Sequence, residues 1–125
     1  SRSFIGTGDD VAIGGFIIDG DQPKEVVVRG RGPSVGVPPV LSDPKLRVFD
    51  SVGVEIDSND NWEEAPNADQ IAGTDYVAGL DPADAALLIQ LNPGLYTFIV
   101  EGVAGATGIG IVEIYDKTGG TVAAQ

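Results

Sequence analysis

A chain of 125 residues is long enough for one domain with a sizeable single core. It contains no histidine, cysteine or methionine, the side chains most used for general-base and thiol chemistry and for soft metals, so it is not expected to be an enzyme. Nineteen acidic residues against seven basic ones give a net charge of −12, which argues against nucleic acid and anionic membranes as partners, while 42% hydrophobic residues argue against an acidic disordered tail.

In chain order, β-type residues recur at short spacing between turn formers. The pattern predicts strands at Val11–Ile18, Glu25–Arg29, Leu46–Asp50, Val54–Ile56, Ala86–Leu91, Tyr96–Glu101 and Ile109–Tyr115. Gly30 to Pro44, with four prolines, reads as a crossing loop. Asp57 to Pro82 is polar and acidic, and Ala68–Ala72 offers at most a turn or two of helix. Asn92-Pro93-Gly94 lies between two clear strands and predicts a hairpin. Ile109–Ile111 and Val112–Ile114 are out of phase, which implies either a bulge or a strand covered on both faces. No helix long enough for a parallel crossover is visible. The expected fold is all-β: one antiparallel sandwich over residues 1–125, of jelly-roll or immunoglobulin-like topology, with about seven to nine strands.

Side-chain oxygens cluster at Asp57, Asn59, Asp60, Asn61 and Glu63. Hard cations take six to eight such oxygens, so this run is the candidate Ca²⁺ site, although it lacks the spacing and glycine of an EF-hand loop. The competing reading is a solvated loop held by Asx-turns. Trp62 stands beside the run as the only tryptophan, and Tyr76 follows on the same segment. Exposed, the two rings would form a platform for a sugar; buried, Trp62 would cap the sandwich. Arg29, Arg31 and Arg47 are expected to pair with carboxylates or to reach across an interface. The glycines at 30, 32 and 36 and at 102, 105 and 108 lack phosphate-loop spacing.

Several segments carry a family likeness. They are Gly6-Thr7-Gly8-Asp9-Asp10-Val11-Ala12-Ile13-Gly14-Gly15-Phe16-Ile17-Ile18, Arg29-Gly30-Arg31-Gly32-Pro33-Ser34, Asn59-Asp60-Asn61-Trp62, Pro93-Gly94-Leu95-Tyr96-Thr97 and Val112-Glu113-Ile114-Tyr115-Asp116. Together they resemble a repeat module of large secreted and surface proteins of environmental bacteria. More distantly, the chain is similar to the pre-peptidase C-terminal type of β-sandwich appended to secreted hydrolases. The resemblance implies an extracellular or cell-surface location, a β-sandwich and a non-catalytic role, and it carries no ligand residues with it. In tandem copies a strand precedes the segment matching Ser1-Arg2-Ser3. That strand is expected to be missing here, while Thr121–Ala124 trails as a β-capable tail, leaving an open edge for a neighbour. The leading expectation is therefore a structural module that associates with copies of itself into a filament, surface layer or stalk. The alternative is a calcium-assisted module binding polysaccharide through Trp62 and Tyr76.

Overall fold

A computed structural model describes residues 2–8, 11–36, 41–103, 108–117 and 122–124. The alternating stretches form strands β1 (Arg2–Gly8), β2 (Val11–Ile18), β3 (Lys24–Arg31), β4 (Pro44–Phe49), β5 (Glu55–Asn59), β6 (Ala85–Leu91), β7 (Gly94–Gly102), β8 (Gly108–Asp116) and β9 (Val122–Ala124). One short helix, α1 (Ala68–Ala72), lies between β5 and β6. The first sheet has four strands in the order β1-β8-β3-β6; the second has five, β5-β4-β7-β2-β9. Every registered pair is antiparallel. Consecutive strands change sheet at each connection except β4 to β5, and with this strand order β1 to β8 form a jelly roll to which β9 is added.

Period-two patterning explains the core. Val26, Val28, Leu87, Val112 and Ile114 from the first sheet meet Phe16, Leu46, Val48, Tyr96, Phe98 and Val100 from the second. Burial of such side chains contributes ~1.5–3 kcal/mol each. Phe16 stacks on Tyr96 and Phe98 at centroid distances of 5.5 and 6.5 Å. Gly14 lies opposite Phe98 in register, and a Cβ there would come within 2.5 Å of the Phe98 ring, so only glycine fits beneath it. Gly32 is held by a closer approach, since its Cβ would lie 1.9 Å from the Leu41 carbonyl oxygen.

A second cluster sits on the outer face of the first sheet. Val27, Ala86, Leu88 and, beside Val27 in register, Tyr115 point outward there, and Ile71 of α1 covers them together with Trp62, Ala65, Tyr76, Val77 and Leu80. The polar segment after β5 is thus a roof, not a free loop.

Of three local expectations, two need correction and one open alternative is decided. The turn at Asn92-Pro93-Gly94 makes no hairpin, because β6 belongs to the first sheet and β7 to the second. A reversal signal in sequence does not say to which sheet the chain returns. The Tyr96 hydroxyl donates to the Asn92 carbonyl oxygen at 2.8 Å and fastens this corner. Secondly, of the two alternatives for residues 109–114 the strand covered on both faces is the one found: the register of β8 with β1 and β3 is unbroken, and Glu113 is buried on one face while Val112 and Ile114 are buried on the other. Thirdly, the front edge is not left open. The N-terminal segment is itself a strand on β8, and the C-terminal tail pairs with β2, so the chain's own ends fill one edge of each sheet. Asp9-Asp10, expected to be a solvated turn, lies outside the described residues.

Candidate functional site

Residues 57–64 run from the end of β5 into a 3-10 turn over Trp62–Glu64, and their hydrogen bonds are largely internal. Asp57 is half-buried on β5, where Oδ1 accepts from the Ser58 amide at 2.9 Å. Burial raises its pKa above the ordinary 3.8 and the nearby Glu55 adds to the rise, against the lowering effect of the Ser58 amide. Asn59 uses both ends of its amide. Oδ1 accepts from the Ala86 amide at 3.0 Å and Nδ2 donates to the Asn61 carbonyl oxygen at 3.0 Å. Asn61 Nδ2 donates to Asp60 Oδ1 at 3.3 Å, and Glu63 is exposed. Asn59, Asp60 and Asn61 are therefore brought together as a hydrogen-bonded chain. Among the described residues no three carboxylate, histidine or cysteine groups are disposed around a common point that could hold a metal ion.

Trp62 and Tyr76 are also brought together, but as packing residues of the roof. Both are half-buried against the second cluster. The Trp62 amide donates to the Asp84 carbonyl oxygen at 2.9 Å, and its indole Nε1 is buried with no hydrogen-bond partner among the described residues. The Tyr76 ring stacks on Tyr115 at 4.8 Å, which occupies one of its faces.

The roof is fastened by polar groups that composition alone does not single out. Arg29 donates from Nε to Glu113 Oε1 at 2.8 Å, and from Nη1 to the carbonyl oxygens of Tyr76 at 2.7 Å and Ala78 at 3.3 Å. Its Nη2 also pairs with Glu113, and its guanidinium lies 5.3 Å from the centre of the Tyr115 ring. Arg31 adds a second contact to Glu113 at 3.4 Å. Asp84, fully buried, accepts from the amides of Gly32 at 2.8 Å and Asp81 at 2.9 Å. The expected pairing of Arg29, Arg31 and Arg47 with carboxylates is thus found, with Arg47 bound to Glu55 and Glu101.

Lys45, Ser58, Asn59, Asp60, Glu64, Ala65 and Pro66 line an open pocket of about 310 Å³. Asp43 interacts electrostatically with Asp60, and its pKa is raised, first by burial and then by that carboxylate. With one ammonium and two carboxylates this pocket suits a small polar group. No helix among the described residues is long and apolar enough to cross a membrane. Comparison with known proteins found no protein-family model and no curated protein that matches the chain.

Proposed function

We propose that this jelly roll is a non-catalytic structural module of a secreted or surface protein, joined to copies of itself by exchange of terminal strands. The observation that carries the reading is the position of β1 and β9. Among the described residues both are edge strands, each paired on one flank, and they lie against each other on the same side of the sandwich. An edge strand can leave its groove and be replaced by the same strand of a neighbour, with identical pairings.

Both strands have a register open to exchange. Two of the seven β1–β8 pairs are glycine on glycine, Gly6 with Gly110 and Gly8 with Gly108. Glycine in a strand packs nothing and costs backbone entropy. β9 registers only Val122, Ala123 and Ala124 against β2. The opposite side of the sandwich is protected: the free edge of β6 has its Ala86 amide bound by Asn59 and its Leu88 carbonyl bound by Asn67 Nδ2 at 3.0 Å. Exchange is thereby directed to the side that carries the termini. The likeness to tandem surface modules and the lack of catalytic side chains agree with this role.

Light scattering across a dilution series, paired with a variant lacking residues 1–8, tests it. The full chain should form oligomers larger than a dimer, whereas the truncated chain should form none of these and should capture a synthetic peptide of residues 1–8. A full chain that is monomeric up to millimolar concentration, or a truncated chain that assembles equally well, overturns the proposal.

A further inference from the structure

The two flat faces of the sandwich differ in cover. The outer face of the first sheet is roofed by the segment between β5 and β6, whereas nothing among the described residues packs over the outer face of the second. On that face Ile13 is 71% exposed and Leu95 38% exposed. Register sets Ile13 beside Ile99 and Ile17 beside Leu95, two apolar pairs with Gly15 and Thr97 between them, and places Arg47 and Phe49 of β4 next to Ile99 and Thr97.

Its charge differs from the rest of the molecule. Among the described residues the face presents Lys45 and Arg47 against Glu55 and Glu101, two positive and two negative, on a chain of net charge −12. Arg47 lies 4.9 Å from the Phe49 ring centre and bonds to Glu55 Oε1 at 2.6 Å and Glu101 Oε1 at 3.5 Å.

We propose that this face packs against the same face of a second copy about a two-fold axis. Two molecules of this charge repel in most orientations, and the cost is smallest where the local charge cancels. A two-fold places the Arg47 of each copy within reach of the other's carboxylates, so the patch is self-complementary in charge as well as apolar. Strands β5, β4, β7 and β2, at ~4.8 Å spacing and ~3.4 Å rise, give a face of roughly 19 by 24 Å. Two such faces bury on the order of 1,000 Å², the lower bound for a specific interface, so the dimer is weak. This surface is distinct from the terminal edges, and the pairing does not depend on strand exchange.

Sedimentation velocity on the full chain, on Ile13→Glu and on Val52→Glu tests the proposal. Val52 is 81% exposed in the β4–β5 turn and serves as the control. The full chain and Val52→Glu should dimerise reversibly, more strongly as salt screens the mutual repulsion. Ile13→Glu should weaken the dimer by about tenfold or more with an unchanged melting temperature. Three results overturn it: equal dimerisation by Ile13→Glu; a full chain monomeric at every salt concentration, which leaves the face to a partner of other sequence; or association lost only on removing residues 1–8, which assigns it to the terminal strands.

Discussion

Arg29 is 7% exposed, and a guanidinium that deep is tolerated only where its donors are paired. It meets that condition through Glu113 and two carbonyl oxygens of the roof, joining strands β3 and β8 to a segment nearly fifty residues away. Arg29→Ala would strip Glu113, 8% exposed, of its closest cation and leave it the longer contact to Arg31. We expect a loss of about 3 kcal/mol in urea unfolding and faster proteolysis between β5 and β6. A loss within ~0.5 kcal/mol, the range of an ordinary surface change, would contradict this role. Asp57 and Asp43 act in the opposite sense. Their folded-state pKa values are raised, so the folded chain binds these protons more tightly than the unfolded chain does. Stability is therefore gained as pH falls toward the raised values and lost as pH rises through them. The contribution of these two groups to the melting temperature should climb as pH falls from neutral toward the raised values. Asp57→Asn, which keeps the Oδ1 acceptor for Ser58, should raise the melting temperature at neutral pH and flatten that climb.

At the scale of elements, the free edge of β6 is closed by side chains. Ala86 N–H and Leu88 C=O both point away from β3, and Asn59 and Asn67 bind them. Replacing either asparagine by alanine leaves a backbone group unpaired at a part-buried edge, and each should cost about 1–2 kcal/mol in denaturant titrations. The double variant should also aggregate at concentrations where the wild type does not, because the bared edge is a pairing template. These two residues mark how far the sequence can be read. Asn59 stood out because the oxygens around it are dense, yet its carbonyl serves a strand that begins twenty-six residues later. Asn67 gave no signal at all, being one polar residue in a polar segment. Trp62 was correctly noticed as singular, but composition does not say that Val27, Ala86 and Leu88 present an outer apolar face in need of a cover. That follows only once β3 and β6 are known to be neighbours. Strand positions, by contrast, were legible from alternation alone: β2 has the predicted bounds, and the six other predicted strands are shifted by a few residues at their ends. β1 was missed because two of its seven residues, Gly6 and Gly8, are glycine.

For the whole molecule, alternation fixes which way each side chain faces within its strand but not which sheet the strand joins. The sandwich class was therefore readable, whereas the change of sheet at Asn92–Gly94 was not. What holds the two sheets together is apolar, and charge works against it. Nineteen carboxylates and seven cations on one small domain repel on balance. Six salt bridges among the described residues offset part of that. The Arg29–Glu113 pair is buried and hardly screened by salt, while Lys117–Glu25 and Arg47–Glu55 are exposed and contribute at most about 1 kcal/mol each. Salt therefore weakens a few small attractions and relieves a larger, diffuse repulsion. The melting temperature should rise between low ionic strength and about 0.5 M sodium chloride, where the screening length is only a few ångströms. Calorimetry with a monovalent salt reads this directly. A fall in melting temperature would mean that the surface pairs outweigh the net charge, and that the acidic surface is organised more favourably than its sum implies.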